Sequence, residues 1–196
     1  MKTNVKMFYN LITKLDAHSY LKNYLIYHLS PVIKGVKPAI TLSISKKKEL
    51  YNAWLEIGEQ LLASLDLKFT LLREASTSII LYIYDTNQLS EVIHNEEVAI
   101  FLQMVGYKQN TNVNEAIDML VERYALYNCP HELGVFLGIP LKDVVDFMHC
   151  SDKPCILCGY WQVYNDVDEA IAIFAQYDKA KNDILCDLLQ ELKATS

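Results

Sequence analysis

The chain has 196 residues, 52% of them hydrophobic and 21% charged. That composition supports a sizeable core and excludes the polar, highly charged disordered class. A net charge of −6 and a pI near 5.3 argue against a phosphate backbone as partner, because nucleic-acid affinity rests on Lys and Arg neutralising phosphates. Arg73 and Arg123 supply the only guanidinium groups.

The charge is uneven. Residues 1–98 sum to +1 and residues 99–196 to −7. The basic run Lys46-Lys47-Lys48 precedes an acidic helix and reads as a solvated first turn rather than an anion patch. The longest apolar run, Ile79 to Tyr84, is far short of the ~20 residues needed to cross a bilayer. Lys14 and Asp16 interrupt what would be the apolar core of a signal peptide, so a cytoplasmic location is expected, with no membrane partner. The five cysteines form an odd set, all in the second half, and are expected to be reduced thiols.

In chain order, apolar residues recur at three- and four-residue steps from Val5 to Leu29, which predicts one or two amphipathic helical segments that Ser30-Pro31 should stop. Gly35 to Leu42 reads as a loop leading into a brief strand or buried coil. Ser45 can cap a helix whose buried stripe is Leu50, Trp54, Ile57, Leu61, Leu62 and Leu65. From Leu67 the period changes: Leu67, Phe69 and Leu71 alternate with polar residues, and the β-branched and aromatic run Ile79 to Tyr84 follows. An antiparallel hairpin is predicted.

Asp85-Thr86-Asn87 ends that strand and can cap a short helix, and Asn95 caps Glu96 to Val105. Asn112 and Glu115 form a capping box for a helix ending near Tyr127. The segment from Asn128 to Pro140 carries Pro130, Gly134, Gly138 and Pro140 among apolar residues, and can sustain neither a helix nor a long strand without breaks. Pro140 suits the first turn of a helix. After it come a second hairpin or bent strand, Cys155 to Tyr164, and a long final helix opened by Asp166 and Glu169. The expected fold is a single α+β domain over residues 1–196, helix-rich, with a small, largely antiparallel sheet from residues 67–84 and 155–164.

Two stretches carry a resemblance. The first is Cys129-Pro-His-Glu-Leu-Gly-Val-Phe-Leu-Gly-Ile-Pro-Leu-Lys-Asp-Val-Val-Asp-Phe147, and the second is Gly159-Tyr-Trp-Gln-Val-Tyr164. Together with Gly35-Val-Lys-Pro-Ala39 they resemble a bacterial family, common in clostridia, designated domain of unknown function 3793. Gln162 departs from the pattern, which has Lys there. The resemblance implies a fold shared along nearly the whole chain. It implies no activity, since the family has no established catalytic residues to transfer, and whether the protein is an enzyme stays open.

His131-Glu132 falls in the irregular segment, where loops on a rigid scaffold often build sites. An imidazole beside a carboxylate could do acid–base work or bind a ligand. The alternative is that His131 bonds to a loop carbonyl and Glu132 to backbone N–H groups at a turn. Lys37 could anchor an anionic ligand or snorkel to the surface. Tyr160, Trp161 and Tyr164 read as core and rim of a strand, with a stacking platform as the alternative. His131, Glu132, Lys37 and Tyr164 are therefore the candidate ligand-binding residues, and an unknown small molecule the expected partner, with a protein partner as rival.

No cofactor is predicted. Cys155-Ile-Leu-Cys158 has the spacing of half a metal knuckle, which Cys129, His131, His149 or Cys150 could complete around zinc. A regular strand, however, would put residues three apart on opposite faces. Cys129-Pro130 with His131 also resembles the Cys-Pro motif of haem-responsive proteins, and thiolate and imidazole are both haem-iron ligands. Phosphate loops, dinucleotide fingerprints, nucleophile elbows and His-Glu-x-x-His helices are absent from the sequence.

Overall fold

A computed structural model describes residues 2–46, 49–149 and 153–194. Lys47 and Lys48 of the basic run, and Cys150, Ser151 and Asp152 ahead of the second hairpin, lie outside them.

The N-terminal periodicity resolves into α1 (Lys2–Ile12) and α2 (Ala17–Ile33), separated where Asp16 accepts the His18 and Ser19 backbone N–H groups. Pro31 does not end α2 as the sequence suggested. A proline there removes the N–H that the Tyr27 carbonyl would receive. The Ser30 hydroxyl takes its place, donating to Tyr27 O at 2.5 Å, and the helix runs one turn further.

Strand β1 (Ala39–Ser45) follows, so Ser45 closes a strand rather than capping the next helix. That helix is built from α3 (Glu49–Ala53), a π-helical turn (Trp54–Gly58) and α4 (Glu59–Ala63). The π turn has a local cause: the Trp54 ring lies where a β-carbon on residue 58 would stand, and only glycine leaves that room. Trp54 is thereby turned inward, edge-on to Phe69 at 5.1 Å.

The predicted hairpin forms as β2 (Lys68–Glu74) and β3 (Ser78–Tyr84). Its outer neighbour is β1, giving the antiparallel order β1-β3-β2 with β3 central. Both faces of β3 pack into a core, which explains why Ile79 to Tyr84 is apolar rather than alternating. Ile79, Leu81 and Ile83 face one core with Leu42 and Ile44 of β1, Leu21, Leu25 and Leu29 of α2, and Leu62 of α4. Tyr82 and Tyr84 face the other. A buried aliphatic side chain of this kind contributes roughly 1.5–3 kcal/mol relative to exposure.

That second core is closed by α5 (Thr86–Ile93), α6 (Glu96–Met104), α7 (Val113–Tyr127), the single turn α8 (Leu133–Phe136) and α9 (Leu141–Met148). Asp85 and Asn95 cap α5 and α6, and the Asn112–Glu115 capping box opens α7 with both of its hydrogen bonds formed. Residues 155–164 do not join the main sheet. Strands β4 (Leu157–Cys158) and β5 (Gln162–Val163) pair only with each other, as a separate antiparallel ribbon. The ribbon packs on the final helix α10 (Val167–Ala194), whose far half meets α1 through Phe8, Ile12, Leu185 and Leu188. The architecture is α+β and helix-rich.

Candidate functional site

The Gly/Pro-broken segment after α7 turns three times in quick succession. Asn128 ends α7 in the left-handed region, φ 67°, and donates its N–H to Tyr124 O. Leu133, Gly134 and Val135 then donate to the carbonyls of Pro130, His131 and Glu132, winding α8. Such a tight turn sends neighbouring side chains in different directions, and His131 and Glu132 part accordingly.

Glu132 goes inward. It is 1% exposed and accepts from Arg123 Nε on α7 in an ion pair whose arginine is only partly buried. Tyr107 packs beside this pair, its ring 6.0 Å from the Arg123 guanidinium. Burial, and then the Glu132 carboxylate, hold its phenol far above the usual range. Its hydroxyl lies near Glu132 but short of hydrogen-bonding geometry. Glu132 thus acts as a strut fixing the loop to α7, a role that its neighbour in sequence does not share.

His131 goes outward, to the rim of a cavity of about 480 Å³. Cys129, Pro130 and His131 form one edge, and Leu133, Gly134, Leu137, Ile139 and Val144 the apolar floor and wall. Phe147 from α9 and Tyr160, Trp161 and Gln162 from the β4-β5 ribbon complete it. The His131 ring is tilted against Phe147 at 5.4 Å and forms no hydrogen bond to a loop carbonyl among the described residues.

One carboxylate also reaches the cavity lining, but it is fully engaged. Asp143, 3% exposed in the first turn of α9, accepts from Trp161 Nε1 (2.7 Å), Tyr164 N (2.9 Å), Asn165 N (3.0 Å) and Asn165 Nδ2 (2.9 Å). These bonds hold the ribbon on α9 and set the Trp161 ring as a cavity wall. Sequence reasoning missed Asp143. The Asp-Val step in the first motif was visible, but its partners lie 18 to 22 residues downstream.

Tyr164 is buried beside this carboxylate rather than in the cavity lining, its hydroxyl donating to Gln162 Oε1 at 2.6 Å. Lys37 is remote from the lining too. It is part-buried with Nζ 5.2 Å over the Tyr177 ring, and burial, then the charge of Lys181, lower its pKa to about 8. Of the four candidate binding residues, the structure therefore places only His131 on the cavity.

The neighbour of Lys37, Pro38, supports the cavity wall from behind. Pro38 abuts the Leu137-Gly138 turn so closely that a β-carbon at Gly138 would lie 2.7 Å from Pro38 Cδ. Gly159 is pressed against the Phe174 ring of α10 in the same way. All three motif segments of the sequence therefore meet at this end of the molecule.

The candidate metal set does not assemble: among the described residues, no three His, Cys, Asp or Glu side chains group to hold an ion. Cys155 and Cys158, however, lie with their sulfurs 3.0 Å apart, against the expectation from strand geometry. No helix among the described residues is long and apolar enough to cross a membrane.

No curated protein and no solved structure matches the chain. The model of one protein family does, over residues 25–196, which takes in the three motif segments and the helices and strands that bring them together. The chain belongs to that family, described as protein of unknown function (DUF3793).

Proposed function

We propose that the protein binds a small, largely apolar molecule in the cavity between α8, α9 and the β4-β5 ribbon, with a polar end of the ligand at the Cys129–His131 rim. One observation carries the reading: two separate motif segments line a single apolar hollow that has at its mouth an imidazole with no hydrogen-bond partner among the described residues. Ligand sites are commonly of this kind, apolar walls with few polar groups that fix orientation. With the Asp143 oxygens occupied by the ribbon, the polar chemistry at the mouth falls to His131, the Cys129 thiol and the Gln162 amide. An acidic chain with unpaired thiols suits a reducing, cytoplasmic setting.

A second reading, haem, is favoured by a specific arrangement: the Cys129 thiol and the His131 imidazole share one rim of a cavity with flat aromatic walls. A role limited to protein–protein contact has less support, because the apolar residues beside His131 line a half-open hollow rather than a flat face.

The test compares wild type with His131→Ala, screening apolar metabolites and haem by calorimetry alongside a denaturant midpoint. Stability should stay within about 1 kcal/mol, since an exposed side chain with no hydrogen-bond partner is lost, while ligand affinity falls. Marked destabilisation with unchanged binding would sink the site and leave His131 as a loop brace. A Soret band that disappears in the variant would select haem over other ligands.

A further inference from the structure

Cys155 and Cys158 belong neither to the cavity lining nor to the buried core. On a regular strand their spacing would send them to opposite faces. Here β4 begins only at Leu157, so Cys155 stands on its irregular approach. Ile156 N–H donates to Val163 O across the ribbon at 2.9 Å, and the Cys155 thiol reaches the Leu157 carbonyl at 3.1 Å. The chain is thereby folded back until the two sulfurs are 3.0 Å apart, within about 1 Å of a disulfide bond length. Cys158 is exposed and Cys155 partly so, and a small reagent can reach them.

We propose that Cys155 and Cys158 are a thiol–disulfide exchange site, closing reversibly to an intrachain disulfide at the expense of a low-molecular-weight disulfide. The exposed Cys158 thiolate attacks one sulfur of the small disulfide. That S–S bond breaks, a mixed disulfide forms on Cys158, and the first small thiolate leaves. Cys155 then gives up its proton, attacks the Cys158 sulfur and expels the second small thiolate. Two electrons pass from the protein thiols to the small disulfide, and the two protons released by the cysteines are taken up by the departing thiolates. The order follows from exposure, and the hydrogen bond to Cys158 reinforces it by raising the Cys155 thiol above its ordinary range. The new bond would lock the approach to the ribbon that carries Tyr160, Trp161 and Gln162 to the cavity wall. Formation of the disulfide does not depend on the cavity having a ligand.

The experiment equilibrates the full chain in mixtures of reduced and oxidised glutathione with chelator present, quenches with acid, alkylates and maps peptides by mass. At the oxidising end, wild type should lose two of its five alkylatable thiols, with the Cys155 and Cys158 peptides joined and little glutathione adduct left. Cys155→Ser, lacking the resolving sulfur, should accumulate glutathione on Cys158 at about tenfold the wild-type level. Cys186→Ser, on α10, should behave as wild type, showing that a serine at an exposed cysteine does not alter exchange by disturbing the fold. The proposal is overturned if wild type and Cys155→Ser carry equal adduct, if the pair bonds instead to Cys129 or Cys186, or if all five thiols remain alkylatable throughout.

Discussion

The Tyr82 hydroxyl, on the central strand, donates to the Phe136 carbonyl at 2.7 Å inside the core, 54 residues further along the chain. Phe136 ends the α8 turn, where carbonyls lose their intrahelical partners, and none of the backbone N–H groups that follow takes its oxygen. The sheet therefore caps the turn that shapes the cavity floor. Burial holds the Tyr82 phenol far above its ordinary range, keeping it a donor at any working pH. Tyr82→Phe strands a buried carbonyl and should cost about 1–3 kcal/mol in a denaturant midpoint. A change smaller than about 0.5 kcal/mol would mean that the carbonyl has another partner.

The contact between Gly138 and Pro38 invites the opposite kind of change, an added methyl. Gly138 sits at φ +76°, in the left-handed region, with Pro38 Cδ already where the methyl would go. Gly138→Ala should destabilise by about 1–3 kcal/mol through overpacking and backbone strain together. A neutral outcome in thermal or chemical unfolding would show that the two motif segments are less tightly seated than described.

Asp143 accepts from four N–H donors of the ribbon and the residues after it, of which Asn165 Nδ2 also donates to Asp146. Asp143→Ala should cost on the order of 3 kcal/mol, because several buried donors lose their partner at once. Asp143→Asn keeps one acceptor oxygen and should cost less, while its amide protons face the Trp161 N–H and push that ring out of place. A shift in tryptophan emission in the Asn variant, with helical circular dichroism retained, would register this. Unchanged emission in both variants would refute the pinning role.

His28 on α2 is largely buried between Tyr9, whose hydroxyl is 2.9 Å from its Nε2, and Tyr24, with the charge of Lys181 nearby. Burial, then Lys181, lower its pKa from 6.5 to about 4. Between those values the unfolded chain binds a proton that the folded chain refuses, so stability rises with pH across the window. The contribution should be complete above pH 6.5 and drain away as pH falls towards 4. His28→Gln, which can still bond to Tyr9, should flatten this part of the stability profile when midpoints are compared at pH 7 and pH 5. An unaltered slope would assign the acid sensitivity to other groups.

What the sequence made legible was local. The capping box at Asn112 and Glu115, the caps at Asp85 and Asn95, and the strand over Ile79 to Tyr84 all depend on residues within one element, and local pattern reads those directly. Two local readings failed because a side chain or a strand competed. Ser30 satisfied the carbonyl that Pro31 left open, and Ser45 was drawn into β1 by its ladder opposite Ser78. The rest depended on partners far along the chain. That β1 pairs with β3, that the ribbon stands apart from the main sheet, and that Glu132 turns to Arg123 while His131 faces a cavity are outcomes of tertiary packing, which the spacing of residues does not contain. At the site, the motif located the loop, and folding separated its adjacent imidazole and carboxylate.

In β2 the pairing steps from Leu71 opposite Leu81 to Arg73 opposite Ile80, leaving Leu72 as an extra residue. Leu72 turns into the core that holds Tyr82, and Leu71 is left 39% exposed. An incoming strand from another molecule needs evenly spaced N–H and C=O groups to continue a sheet, and a bulge breaks that spacing. Lys68, Arg73 and Glu74 add charge along the same border, and α7 packs against the strand. Leu72 therefore does two jobs with one insertion: it fills the interior, and it makes β2 a poor template for edge-to-edge aggregation, so an exposed leucine there carries less hazard than its hydrophobicity alone would suggest.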